Sequence, residues 1–207
     1  AAAQGKPDDP GGGSGGGPGS GEQCLNIVYD GGPDAPVVVL DPGHGGADPG
    51  AVNGSLVEKE QTLIIATYAA EMLAGRGYTV ALTRTSDIPL ENSQRGAIAN
   101  ACGAAVFVEI HLNASSDPEV NFSQAFWGKK RKDLDFASHM SGYLGALTGD
   151  GRVGQFANGG LLHAEMPSAL LETVFITNTA EAEALAAGGR QWDIAAVIAD
   201  GIAGWVA

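Results

Sequence analysis

A few residues of this chain have the types and settings that chemistry needs. His44 lies in the glycine-rich run DPGHGG, His111 in EIHLNA and Glu172 in LLETVFITN, while Glu58 and Glu60 open the run EKEQTL. Two imidazoles and a carboxylate are a ligand set of catalytic zinc, with a fourth position left open for water. Glu172 poses a separate question. A carboxylate in an apolar run is almost never fully buried without a partner. Either the chain turns outward there or Glu172 works at the edge of a site. Each residue also has a plainer reading. Ser55 and Glu58 form an S-x-x-E pattern that caps a helix start, and a lone loop histidine is usually a solvated side chain. The glycines around His44 permit close backbone approach. Spacing alone leaves cap and ligand both open for Glu58.

The elements around these residues decide whether they can meet. APVVVLD at 35–41 is a short β-branched run ending in a turn, as expected of a strand buried on both faces. YTVALTR, AAVFVEIHLNA and SALLETVFITN read as further strands. TLIIATYAAEMLAGRG carries Leu63, Ala66, Ala70 and Leu73 at helical spacing, with Gly75 and Gly77 as its stop. SQRGAIANACG reads as a second helix. DLDFASHMSGYLGALTG follows with Phe136, Met140, Tyr143 and Leu147 on one stripe. WDIAAVIADGIAGWVA closes the chain with Ile194, Val197, Ile198 and Ile202 inward. Alternating strands and helices predict a single layered α/β domain, a mainly parallel twisted sheet flanked by helices. In such sheets ligand sites gather beyond the carboxyl ends of the strands. His44, His111 and Glu172 are thus expected in one cleft.

The totals narrow the field. The chain has 207 residues and a formal net charge of −13. That balance argues against nucleic acid, which needs a basic footprint. The basic cluster KKRKD at 129–133 reads as a solvated loop or helix start, with an anionic-polymer contact as the alternative. No apolar run approaches the ~20 residues of a membrane span. Residues 1–21 are Gly, Pro, Ser and Asp-rich without a large apolar side chain, and read as a flexible tether or leader. The folded domain is then expected over 22–207. Cys24 and Cys102 are either a disulfide pinning the N-terminal arm or two buried thiols.

Taken together, VVVLDPGHGGADPGAV with EKEQTL, LTRTSD with QRGAIAN, VFVEIHLNAS, and MPSALLETVFITN resemble the motifs of the zinc-dependent N-acetylmuramoyl-L-alanine amidases. These are cell-wall hydrolases of the amidase type 3 family. The resemblance covers nearly all of 36–207, with the motifs in the family's order. It implies Zn2+ as cofactor, His44, Glu58 and His111 as metal ligands, and Glu172 as the catalytic carboxylate acting on water. It favours Glu58 over Glu60 and over a purely capping role. The implied substrate is peptidoglycan, cut between the lactyl group of N-acetylmuramic acid and the L-alanine of the stem peptide. The implied site of action is extracytoplasmic, in periplasm or wall, and a monomer is expected. Arg95 and Asn100 match the family's R-x-x-x-A-N stretch and read as structural.

The sequence also departs from the family. Glu109 stands where serine is usual, and either supports the ligands or points to the opposite face. ETVFITN lacks the glycine of E-x-G-F-x-S-N, which is expected to reshape the backbone beside Glu172. The segment after His111 is too short for the inhibitory helix some members carry, so an open cleft is expected. Asn113 and His163 join Glu109 as candidates for substrate contact or ligand support, His163 at the rim of the cleft. Two rival functions remain at this level: another zinc peptidase or amidase with a similar site, and a non-catalytic wall-binding domain that kept the fold.

Overall fold

The computed structural model describes Cys24 and residues 26–207. The leader reading of 1–21 therefore falls outside the described residues. Fifteen elements follow in order: β1 (Ile27–Tyr29), β2 (Val37–Pro42), β3 (Val52–Asn53), β4 (Leu56–Val57), α1 (Glu58–Ala74), β5 (Thr79–Leu82), α2 (Asn92–Ala101), β6 (Val106–Asn113), β7 (Ser123–Trp127), α3 (Lys130–Thr148), β8 (Gly151–Gln155), α4 (Gly159–His163), β9 (Ser168–Phe175), α5 (Thr179–Ala187) and α6 (Arg190–Val206).

Seven strands form one sheet in the order β1-β5-β2-β6-β9-β7-β8, and β3-β4 make a small hairpin. Pairing is parallel through β5, β2, β6 and β9 and between β7 and β8; β1 and β7 join their neighbours β5 and β9 antiparallel. The mainly parallel α/β expectation holds. Alternation along the central strands sorts side chains to two faces. Val38, Leu40, Val106, Val108 and Ile110 pack against α1, α3 and α6 in the larger core. Val39 and Phe107 meet Ala99 of α2 and Ala164 beyond α4 on the opposite face. His111 and Glu109 alternate with the larger core, so they share this second face.

Several sequence expectations need correction. Helix α1 begins at Glu58, its N-cap is Val57, and no side chain caps it. Ser55 instead occupies the turn of the β3–β4 hairpin, beside Gly54 with φ 60°. The capping box is thus absent because the hairpin takes Ser55. The buried stripe of α1 runs through Ile65, Ala66, Ala69, Ala70 and Leu73, leaving Leu63 only half-buried. In α3 the place given to Tyr143 belongs to Leu144, and Tyr143 is exposed. That helix starts at Lys130, inside the basic cluster. Asp133, fully buried, accepts from the backbone N–H groups of Gly128 and Lys129 and from Ser168. Cys24 and Cys102 form a disulfide, so the free-thiol alternative falls. Residues 114–122, between β6 and β7, hold no helix.

Candidate metal centre and cleft

The loop after β2 delivers His44 with a left-handed backbone, φ 61°. Few non-glycine residues adopt this region, and the surroundings hold it there. Buried Arg84 donates to the carbonyls of Pro42, Gly43 and Lys59 at 2.9, 2.8 and 2.7 Å. Arg95 of α2 donates to Asp41 at 2.8 Å and to the His44 carbonyl at 2.9 Å. Arg95 is therefore structural, as expected. Asn100 is structural too: it ties α2 to the His163 carbonyl and the Glu165 N–H.

Three donor atoms converge. Nε2 of His44 lies 3.0 Å from Oε1 of Glu58, and Nδ1 of His111 lies 3.1 Å from each. Each is fixed from behind. Nδ1 of His44 meets Asp48 Oδ2 at 2.8 Å, which turns Nε2 to the cluster. Glu58 accepts from the backbone of Ala51 at 2.7 Å and Leu112 at 3.0 Å. His111 packs against Gly43, where a Cβ would come within 2.3 Å of the ring. The glycine at 43 is what lets strand β6 bring the imidazole in. Glu60, the rival carboxylate, is not in this cluster.

The donor set passes a direct test of fit to a metal. A tetrahedral ion held at ~2.0–2.1 Å needs ligand atoms about 3.3 Å apart. The observed edges of 3.0–3.1 Å require only a small spreading. Electrostatics agree. Burial works to raise the Glu58 carboxyl, but hydrogen bonds to His111 and His44 hold it far below the usual range. Burial lowers His44, yet bonding to Glu58 and Asp48 outweighs this and lifts it to about 9. A buried carboxylate that holds positive charge on the His44 imidazole matches what a cation would find at this donor set.

Glu172 stands opposite His111 in the β6–β9 register. It lies inside β9, not at its end, and the register slips directly after this pair. The slip sets Thr173 and Val174 against Leu112 alone, and Val174 is buried in the larger core. Oε2 of Glu172 is enclosed and bonds to nothing among the described residues. Burial, followed by the charge of Glu58, pushes this carboxyl up to about 8, against the opposing influence of His44.

The remaining candidates go elsewhere. Glu109 lies two residues below His111 on the same face, fully buried. It bonds to Asn158 at the start of α4, not to the cluster, and its Oε1 is unpartnered. Burial, then neighbouring Asp41, pushes it up to about 8 against Asn158, Arg95 and Lys132. Asn113 turns onto the N–H of Ala114. His163 is exposed on α4 and bonds back to the Gly159 carbonyl. Sequence reasoning missed Asp48, whose signal was its place four residues after His44 on a glycine loop. It also missed Gln124, which faces Glu172 in the β7–β9 register.

An α/β sheet with an imidazole–carboxylate–imidazole cluster at its strand ends defines a candidate metallohydrolase. Comparison with known proteins makes the class specific. Residues 38–204 match the family model described as N-acetylmuramoyl-L-alanine amidase, and the chain belongs to that family of peptidoglycan hydrolases. It is 32% identical over 184 residues to the germination-specific N-acetylmuramoyl-L-alanine amidase of Bacillus subtilis, covering 80% of this chain and 78% of that one. The catalytic domain of the amidase CwlV from Bacillus (Paenibacillus) polymyxa superposes with TM-score 0.77 at 32% identity, covering 83% and 98% of the two chains. The amidase AmiC2 of Nostoc punctiforme gives TM-score 0.76 at 31% identity, covering 83% and 97%.

Proposed function

We propose that His44, Glu58 and His111 hold one zinc ion and that Glu172 is the catalytic carboxylate for cleavage of the muramoyl–L-alanine amide in peptidoglycan. The observation that carries this reading is the convergence of three donors, with Glu172 paired across the strands to His111 and its Oε2 enclosed and unpartnered among the described residues. Zinc in such a set supplies a Lewis acid for the carbonyl and a more acidic water. The residues do the rest. Asp48 holds His44 with Nε2 forward, and the backbone of Ala51 and Leu112 holds Glu58. Glu172 takes a proton from the attacking water as its oxygen bonds to the amide carbon. It then delivers that proton to the departing nitrogen as the C–N bond breaks, leaving a carboxylate and a free alanine N-terminus. Positive charge at the cluster lowers the Glu172 pKa toward the range a general base needs.

The reading extends to setting. The Cys24–Cys102 disulfide suits an oxidising compartment, which supports action outside the cytoplasm, on the wall. Digestion of purified peptidoglycan tests the core of it. Wild type is expected to hold about one zinc and release stem peptides with new alanine N-termini. Glu172→Gln is expected to keep zinc and lose about 10³-fold in rate, within the usual worth of a general base. Cleavage inside the stem peptide, or a protein without zinc, would overturn the assignment.

A further inference from the structure

The sheet continues past Glu172, and what it presents there is unassigned. His111 pairs with Glu172, Glu172 with Gln124, and Gln124 with Arg152. Paired residues on adjacent strands point to one face. These four side chains therefore form a row across β6, β9, β7 and β8. Strands are ~4.8 Å apart, so the backbone of Arg152 lies about 10 Å beyond that of Glu172.

The end of the row carries a guanidinium and a carboxamide. The Arg152 guanidinium rests 3.6 Å over the Phe122 ring, and Phe122 packs edge-on against Phe175 at 4.7 Å. Nε and Nη2 of Arg152 donate to Asp150 Oδ2 at 2.9 and 2.6 Å. This props the plane while Nη1 stays uncommitted and half of the side chain stays exposed. Beside it, the Gln124 carboxamide has no partner among the described residues. Its Nε2 lies over Gly154, where a Cβ would come within 2.6 Å. In a chain of net charge −13, these are donors facing a cleft otherwise floored by carboxylates.

The order along the row sets the polarity of the substrate. The donor cluster that faces the carbonyl lies at one end. Glu172, which serves the departing nitrogen, comes next. The peptide on the nitrogen side then runs over Gln124 toward Arg152. An extended peptide covers ~3.3–3.6 Å per residue, so about 10 Å reaches the second or third stem residue. Resting on the amidase reading above, we propose that Arg152 and Gln124 form a subsite for a free carboxylate on the second or third residue of the stem peptide. The protein thereby distinguishes acidic stem peptides from those amidated at that carboxylate.

Soluble muramoyl peptides test this, prepared with free carboxylates, with the second residue amidated, or with the third residue amidated. For wild type, one amidation is expected to lower kcat/KM about fivefold, mostly through KM, as a half-exposed ion pair allows. The position at which it does so identifies the residue. Arg152→Gln is expected to lower the acidic substrate to the level of the amidated one and to leave the latter unchanged. Arg152→Lys is expected to restore part of the difference. Indifference of wild type to both amidations, or an equal loss on all substrates in Arg152→Gln, overturns the subsite. If wild type cleaves no muramoyl amide, the proposed function fails, and binding still decides the subsite. Titration with L-Ala-γ-D-Glu-L-Lys must then shift the Arg152 Nε–Hε resonance, and amidation must abolish the shift; no shift overturns it.

Discussion

At the residue scale, the site depends on side chains that touch no substrate. Asp48 shows this best. Its carboxylate is 66% exposed, yet it accepts from the Gly50 N–H and fixes which nitrogen His44 presents. Partners that orient a ligand imidazole are worth 10- to 100-fold in metal affinity. Asp48→Ala is therefore expected to lower the thermal transition of the metal-free protein only slightly, the carboxylate being largely exposed, while weakening zinc by about 10- to 100-fold. Competition with a chromogenic chelator reads the affinity, and unchanged affinity would show that the left-handed loop alone orients His44.

At the element scale, α2 matters as much as the strands that carry the cluster. Arg95 reaches from α2 to Asp41 at the end of β2 and to the His44 carbonyl beyond it. Both partners of the ion pair are buried. Removing one side of such a pair leaves an uncompensated charge, at a cost of about 3–5 kcal/mol. Arg95→Met is expected to lose that much in urea unfolding and to weaken zinc as the His44 loop relaxes. The elements also explain what could be read in advance. β2, β6 and β9 are apolar runs, so the sheet centre and the strand placement of His111 and Glu172 were legible. The strands beyond β9 were not. β8 reads GRVGQ and β7 SQAFW, short segments without a β-branched run, whose strand character comes from the pairing of β7 with β9 and of β8 with β7. The β3–β4 loop is Gly54-Ser55, itself a hairpin turn signal, but the S-x-x-E pattern that overlaps it reads equally as a helix cap. Glu172 was visible as an anomaly in β9. Its neighbours Gln124 and Arg152 were not, because register between distant segments leaves no local mark in the chain.

At the scale of the whole molecule, the buried titrating groups make metal-free stability depend on pH in a stated direction. Glu109 and Glu172 titrate at about 8 when folded and near 4.5 when unfolded. Between those values the folded state holds more protons than the unfolded chain, so stability falls as pH rises. His44, at about 9 against 6.5, extends the fall to higher pH. Glu58 and Asp48 act in the opposite sense. Despite burial, their bonds to the imidazoles keep both carboxyls below their unfolded values, so their contribution is lost as pH falls below about 4. The chelated protein is therefore expected to be most stable near pH 5 and to lose stability steadily toward pH 9. Thermal melts across that range check the slope, and Glu109→Gln should flatten it by up to one proton between pH 5 and 8 without touching the cluster. Zinc reverses the trend. The ion needs a neutral His44, so binding releases the proton that stabilised the metal-free state. Its stabilising effect should be small at pH 5 and large at pH 8. A zinc-induced shift of the melt that did not grow with pH would mean that the protons held by these buried groups do not compete with the ion.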